Sequence, residues 1–330
     1  MRRWLILLAS LLVSGVFLWL ALRDVPLAEV VDGIRQADFG WVLVSVLCIF
    51  GAQASRAVRW RGLLEQRVPL VQALHILNIT MLLNQLPLRA GEVARSLLAT
   101  RSGVPFVTAA TSIVVERLLD VVTVVIMLTF ALSRLPSTPA VVAQAATLFG
   151  AAAVIAFLVL IGFARYPQVA HRLLTGAERR VPALKRLNGV RRVEEVLDGL
   201  RPMTQPRRAA HAVAWTIVGW VFSTVTFYAL ERAMAVEGVD LILGMILGVA
   251  LASFSIAIPV SVAAIGPFEG AVRVAGDAVQ MSAVTATTLG FLFHGVTVFS
   301  YALFGVIGLV ALGISLGDVL AQPAKAAVND

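Results

Sequence analysis

Cysteine and charge are the two scarcest features of this 330-residue chain. The single cysteine, Cys48, excludes a disulfide framework. Charged residues make up only 14% of the chain, against 59% hydrophobic residues and a mean hydropathy of +0.90. No soluble globular domain has this composition, so the sequence predicts an all-α polytopic integral membrane protein.

Sequence motifs for metal or cofactor chemistry are also missing. The four histidines show none of the spacings that metal ligands have, so we expect neither a metal nor a cofactor. They are His75, His171, His211 and His294. The sequence also has no phosphate-cradling glycine loop, no nucleophile elbow and no zinc motif. We therefore expect a protein that is not an enzyme.

Positive charge exceeds negative charge, with 27 Lys and Arg residues against 19 Asp and Glu residues. In a membrane chain, this excess indicates loops that face anionic lipid heads rather than nucleic acid. Eleven of the basic residues lie at 165–208, beside four acids. Apolar residues in this basic loop recur at helical spacing, which predicts an amphipathic helix on the membrane surface. They are Val190, Val193, Val196, Leu197 and Leu200.

Six apolar runs are long enough to span a bilayer, and two further apolar segments are interrupted. The six runs cover residues 4–22, 41–58, 104–132, 140–163, 210–230 and 283–312. The interrupted segments cover residues 70–101 and 241–280. Arg59, Arg61 and Arg67 follow the second run and indicate a basic, cytoplasmic side.

The positive-inside tendency decides how the interrupted segments enter the membrane. If residues 70–101 crossed it completely, the basic loop at 165–208 would lie outside. If they enter and leave on the cytoplasmic side, the basic loop lies inside, and residues 241–280 enter and leave from outside. This predicts about six full transmembrane helices plus two re-entrant broken-helix hairpins in an inverted arrangement, with both termini cytoplasmic. One transmembrane domain would cover residues 1–317, followed by a polar tail at 318–330.

The two interrupted segments contain similar breaks. The helix-breaking residues are Asn84, Pro87, Gly91, Pro259, Gly266 and Pro267. Each break has a Glu followed by an Arg three or four residues later, Glu92 with Arg95 and Glu269 with Arg273. Paired interrupted segments point to a transport site near the midplane. The alternative is an ordinary cytoplasmic loop in which Glu92 and Arg95 form a surface pair.

Nine charges fall in or beside apolar segments. They are Arg89, Glu92, Arg95, Glu116, Arg117, Asp120, Glu269, Arg273 and Asp277. Each costs about 2.5–3.5 kcal/mol alone at the centre of a helix in lipid, so they must pair or face a hydrated cavity. The charges can form internal salt bridges, bind a lipid head group, or do both. Arginines in a cavity suit a phosphate, and glutamates suit a cationic head group or a proton. All of these residues except Asp277 are therefore candidate substrate-binding residues.

Three blocks in order resemble the lysylphosphatidylglycerol synthetase transmembrane-region family, also called flippase-like. Residues 84–95 place an Asn before a Pro-x-Arg-x-Gly-Glu-x-x-Arg run, Glu116 to Asp120 read Glu-Arg-x-x-Asp, and residues 259–269 end in a Glu. Ala263 and Ala264 stand where the family commonly has glycine. The family's best-known members fuse this region to a soluble aminoacyl-transferase domain, which the given sequence does not contain. The resemblance therefore implies lipid translocation rather than lipid synthesis.

Three functions remain open on the sequence. The leading hypothesis is translocation, across a bacterial inner membrane, of a phosphate-bearing, aminoacylated or glycosylated lipid, with Arg89, Arg95 and Arg273 receiving the anion. The second is a membrane-embedded enzyme or accessory subunit of glycolipid or polyprenyl-lipid assembly, with Glu92 or Asp120 as a base. The third is a structural partner of another membrane enzyme. The expected partners are a phospholipid or glycolipid substrate, an anionic lipid surface, and either a second copy or a lipid-biosynthesis enzyme.

Overall fold

The computed structural model describes residues 14–86, 90–135, 140–180, 194, 197, 200–257 and 264–317. Every regular element among them is helical, which confirms the all-α class. The helices are α1 (14–22), α2 (Leu27–Gln36), α3 (Phe39–Leu63), α4 (Leu70–Asn84), α5 (Gly91–Thr100), α6 (Phe106–Arg134), α7 (Ala140–Arg165), α8 (Pro167–Arg180), a 3-10 turn (Arg201–Thr204), α9 (Pro206–Ala233), α10 (Leu241–Ala257), α11 (Pro267–Ala278) and α12 (Ala283–Leu312).

Four of the described helices are long and apolar enough to cross a membrane: α3, α9, α12 and the Thr147–Arg165 part of α7. Helix α6 has 29 residues, which is also sufficient length, but charged side chains lie near its middle. The remaining run of the six that the sequence predicts, 4–22, is described only from residue 14 onward, where it is helical. These features confirm a multi-pass membrane protein.

Local capping explains where two of the long helices begin. The Asp38 side chain accepts hydrogen bonds from the backbone N–H groups of Gly40 and Trp41, so α3 starts at Phe39. The Ser282 hydroxyl accepts from the Thr285 backbone N–H at 3.1 Å and caps α12. Such caps satisfy amide groups that a helix leaves without intrahelical partners.

The first interrupted segment consists of two short helices that contact each other. Helix α4 has 15 residues and ends at Asn84, and α5 begins at Gly91 and has 10 residues. Pro87 and Arg89 lie outside the described residues. A Cβ atom at Gly91 would lie 2.3 Å from the Thr80 backbone oxygen, so only glycine permits α5 to start this close to α4.

The second interrupted segment has a similar organisation. Helix α10 has 17 residues, α11 has 12, and the two pack together. Pro259 lies outside the described residues, Gly266 has φ +92°, and Pro267 is the first residue of α11. Ala264 has φ +61°, the left-handed conformation that glycine adopts most easily. Ala264 therefore holds a backbone conformation that favours glycine, although its side chain is a methyl group.

The two most extensive helix contacts among the described residues join α3 to α9 and α4 to α12. The second contact is close because α12 presents glycine: a Cβ at Gly305 would lie 2.4 Å from the Leu82 Cβ atom. The largest buried apolar cluster joins α9, α10, α11 and α12, around Phe227, Phe268 and Phe293.

The structure corrects two details of the sequence interpretation. Helix α3 continues to Leu63 rather than ending at residue 58, so Arg59 is a helical residue, 2% exposed, and not part of a basic surface. In the basic loop, Leu197 and Leu200 are 4% and 0% exposed and pack with Phe157 of α7. They face the protein, not the membrane surface. Val190, Val193 and Val196 lie outside the described residues.

Candidate functional site

Six charged side chains from three helices form one connected group, which we call the charge cluster. Its members are Arg59 of α3, Glu92 and Arg95 of α5, and Glu116, Arg117 and Asp120 of α6. Five of the eight candidate residues from the sequence are therefore brought together. Because Glu116 and Asp120 are four residues apart, both point from the same face of α6.

Arg59 joins α3 to α6 and α9 at the buried end of the cluster. Its Nη1 and Nη2 atoms donate to the two Asp120 carboxylate oxygens at 2.8 and 3.3 Å, and its Nε donates to Glu116 at 3.3 Å. Nη1 also donates to the Thr216 hydroxyl at 3.0 Å. The Trp220 indole N–H donates to Asp120 at 3.3 Å. Both carboxylate oxygens of Asp120 are thus engaged.

Arg95 lies in the middle of the cluster and is 2% exposed. Its Nη2 atom is 2.6 Å from a Glu116 oxygen, and its guanidinium lies 4.1 Å from the ring centre of Trp60. The Trp60 indole N–H donates to the Ser112 hydroxyl at 3.0 Å, which holds the ring in place. Glu116 therefore sits between two arginines, which offsets the cost of burying it.

The outer edge of the cluster is accessible. Glu92 is ion-paired with Arg117, and the side chains of these residues are 28% and 53% exposed. Arg95 is 4.0 Å from the second Glu92 oxygen. The cluster thus grades from a sealed end at Arg59 and Glu116 to an accessible edge at Glu92 and Arg117.

Glu269, from the second break, lies in a different arrangement. One of its oxygens accepts from the backbone N–H of Gly266 at 2.8 Å, so the side chain caps its own helix, α11. The other is 2.6 Å from His294 Nδ1 of α12, and the His294 ring stacks on Phe268. Both Glu269 and His294 are buried.

Arg273 does not pair with Glu269, which corrects the parallel drawn between the two breaks. Its Nε donates to Asp277 at 2.9 Å, and its Nη1 donates to the Thr287 hydroxyl at 3.1 Å. Thr287 in turn donates to the backbone oxygen of Ala21 in α1, at 3.3 Å. Arg273 therefore links α11 to α12 and, through Thr287, to α1.

A cavity of about 110 Å³ adjoins both the charge cluster and the Glu269–His294 pair. Its lining includes Trp220, which donates to Asp120, and Phe268, which stacks on His294. Glu92 and Glu269 do not line it. The second break thus reaches this cavity through Phe268, whereas no described residue of the first break lines it.

Sequence reasoning missed Arg59 and His294 and could not place Arg89, which lies outside the described residues. A signal for Arg59 exists: small or polar residues recur along α3 at alternating spacings of three and four, and all are buried. They are Ser45, Cys48, Ala52, Ser55 and Arg59. Because Arg59 falls on the same face of the helix as the other four residues, this pattern predicts that α3 continues past residue 58. His294 carries no such signal, since its partner lies 25 residues away on another helix.

Metal binding has no visible basis in the described ranges: they hold no group of three or more His, Cys, Asp or Glu side chains placed to ligate an ion. The arrangement offers arginine donors, carboxylate acceptors and a small polar cavity.

Comparison with known proteins gives one match. A family model described as "Lysylphosphatidylglycerol synthase TM region" matches residues 7–305. No curated protein and no solved structure matches the chain significantly.

Proposed function

The chain belongs to the lysylphosphatidylglycerol synthase transmembrane-region family, and from this premise we propose that it moves a lipid between the leaflets of the bacterial inner membrane. The family is a membrane domain associated with lipid modification or translocation. The proposed cargo is a lipid with a phosphate in its head group. The head group either carries an added amino acid or sugar or is unmodified.

The charge cluster is the observation that carries the proposal. Glu116 and Asp120 lie near the middle of α6, a helix long enough to span a bilayer, and they are matched by arginines from α3 and α5. Ionised groups at such depth are costly, and in membrane proteins they mark substrate or ion pathways. The adjoining cavity would accommodate a polar head group.

The lengths of the short helices support two re-entrant hairpins. At 1.5 Å per residue, α4 and α5 are about 22 and 15 Å long, and α10 and α11 are about 26 and 18 Å long. Each is shorter than a hydrocarbon core of about 30 Å. Broken helices that enter from opposite faces are typical of transporters with a site near the midplane.

The geometry divides roles among the arginines. Arg95 is held between Glu116 and Trp60, so its proposed role is to position the cluster. Arg117, which is half-exposed and paired only at the outer edge with Glu92, is the proposed first contact for an anionic head. Glu92 would release Arg117 to the lipid and recover it when the lipid leaves. Arg89 and Arg273 remain proposed secondary contacts.

We also propose the orientation that the charge distribution favours. The basic loop at 165–208 and both termini would face the cytoplasm and its anionic lipid surface. A second copy of the chain or a lipid-biosynthesis enzyme would be the protein partner. The enzyme alternative has less support at Asp120, because both oxygens of Asp120 accept hydrogen bonds. Glu92, the other candidate base, is ion-paired with Arg117.

The test compares transport with stability in variants of the exposed edge. We expect Glu92→Gln and Arg117→Gln to slow lipid movement in reconstituted vesicles about tenfold or more, a loss of about 1.4 kcal/mol in the barrier. Their thermal stability should change little, because exposed ion pairs contribute about 0–1 kcal/mol. Glu65→Gln is the matched control, since Glu65 forms an exposed ion pair with Arg208 outside the cluster.

If the two variants transported lipid at the wild-type rate, the edge would have no role in transport. If they lost activity only in proportion to stability, the cluster would be a scaffold, as expected for a structural partner of another enzyme.

A further inference from the structure

The cavity beside the charge cluster has a polar wall. It lies among α3, α9, α10, α12 and the start of α11, and its volume of about 110 Å³ is well above what a single water molecule needs. Arg56, Ser223 and Thr297 contribute its polar lining, and Phe268 and Phe293 contribute apolar lining. This space suits one small polar group attached to something larger, not a whole lipid.

Arg56 is the charged residue in that lining, and its hydrogen bonds go to neutral groups. One Nη atom donates to Gln53 Oε1 at 2.8 Å and the other to the Ser223 hydroxyl at 3.3 Å. Among the described residues, no carboxylate forms an ion pair with it. Asp120 is near enough to interact electrostatically, but its oxygens are taken by Arg59 and Trp220.

The charge cluster leaves Arg56 without a carboxylate of its own. The cluster contains three arginines and three carboxylates, so its charges balance without Arg56. Glu269, another buried carboxylate near the cavity, is engaged by Gly266 and His294. Arg56 is half-buried, and a partly buried positive charge is more favourable when an anion compensates it. An anion in the cavity would provide that compensation.

Two further donors beside Arg56 are buried without a hydrogen-bond partner. They are the Gln53 side-chain Nε2 and the Thr297 hydroxyl. Buried polar atoms in folded proteins are normally hydrogen-bonded, so each calls for an acceptor. Thr297 lines the cavity together with Arg56, whereas Gln53 does not, so the cavity offers a guanidinium and a hydroxyl to a ligand with several acceptor oxygens.

We propose that Arg56 and this cavity bind a phosphate group, and specifically the phosphodiester of a phospholipid, as the resting position of the head during the proposed translocation. The guanidinium fork matches two phosphate oxygens, and Thr297 would donate to another. This position deepens the proposed function: the head would meet Arg117 at the edge and then Arg56 inside.

The test measures binding to the purified full chain in maltoside detergent by titration calorimetry. The probes are short-chain phosphatidylglycerol, inorganic phosphate and the matching short-chain diacylglycerol, which lacks phosphate. We expect phosphatidylglycerol to bind, diacylglycerol not to bind, and Arg56→Gln to weaken binding about ten- to hundredfold, the loss of a charge-assisted hydrogen bond. Thr297→Val, which keeps the side-chain shape, should weaken it severalfold. The surface variant Arg67→Gln should bind as wild type.

The titration with inorganic phosphate shows whether the site binds a lipid phosphate or free phosphate. Arg56-dependent binding of phosphatidylglycerol alone assigns the site to a lipid, whereas equally tight Arg56-dependent binding of inorganic phosphate overturns the lipid assignment. Unchanged phosphatidylglycerol binding in both Arg56→Gln and Thr297→Val overturns the site. The binding assay is independent of the transport assay. Binding without transport refutes the proposed function. Transport that is insensitive to Arg56→Gln refutes this site alone.

Discussion

At the scale of single residues, Arg59 holds together more of the interior than any other side chain of the charge cluster. It bonds to two carboxylates of α6 and to a hydroxyl of α9. Removing it would leave Asp120 without an ion-pair partner in the low-dielectric interior. The neighbouring Arg67, which pairs with Glu65 on the surface, lacks this dependence because water replaces a lost partner there.

We therefore predict that Arg59→Met lowers the free energy of unfolding by about 3–5 kcal/mol, the usual cost of breaking a buried pair. Arg67→Met should lower it by no more than about 1 kcal/mol. Thermal and denaturant unfolding in detergent would measure both. Equal losses for the two variants would show that Arg59 is not the residue that binds the cluster together.

The sequence was least able to predict which charged side chains pair with each other. The need for internal partners followed from the cost of charge in lipid, and the grouping of Glu116 and Asp120 followed from helical spacing. The identity of the partners did not: Arg59 seemed to begin a surface loop, and Glu269 was matched with a local Arg rather than with His294. Such contacts depend on which helices pack together, which no local pattern encodes.

At the scale of elements, close packing of α12 on α4 rests on glycine. Gly305 faces Leu82 and the backbone oxygen of Asn78, at 2.4 and 3.1 Å from where a Cβ would lie. Gly295, on the same helix, has no atom within 4 Å of that position. The two glycines thus provide a matched comparison within one helix.

We predict opposite results for alanine at these two positions. Gly295→Ala should be neutral or stabilise by up to about 1 kcal/mol, because alanine favours helix more than glycine does. Gly305→Ala should destabilise by about 1–2 kcal/mol net, since overpacking exceeds that gain. The shift in unfolding midpoint would report both effects. A stabilising Gly305→Ala would mean that α12 and α4 do not pack this closely.

Element positions were largely accessible from the sequence. Pro and Gly located both breaks, and their flanking helices are short, as expected. Helix ends were less accessible: α3 runs five residues past the predicted end at residue 58 because arginines can continue a helix when they find buried partners. Leu197 and Leu200 followed the expected helical spacing, but they pack on the protein's own helices.

At the scale of the whole molecule, composition alone gave the class, and the three sequence blocks gave the family. The orientation in the membrane is a property of the bilayer as well as of the chain. It follows from charge distribution rather than from packing, so it needs its own measurement.

We predict the orientation from accessibility of single cysteines in a Cys48→Ser background. Asp32→Cys and Glu237→Cys should react with a membrane-impermeant maleimide in intact cells. Arg101→Cys and Arg172→Cys should react only after the membrane is opened. All four positions are exposed, so burial does not confound the comparison. Labelling of Arg172→Cys from outside would overturn the scheme of two oppositely entering hairpins.

The most direct test of the central claim is lipid movement by the purified wild-type chain. Vesicles would carry a trace of acyl-labelled fluorescent phosphatidylglycerol, and an impermeant reductant added outside bleaches only label in the outer leaflet. With the protein present, with or without an imposed membrane potential, we expect bleaching to proceed to nearly all of the label. Protein-free vesicles and vesicles with heat-denatured protein should lose only the outer-leaflet share, and an encapsulated dye would control for leakage. Bleaching that stops at the outer-leaflet share under both conditions would contradict lipid translocation.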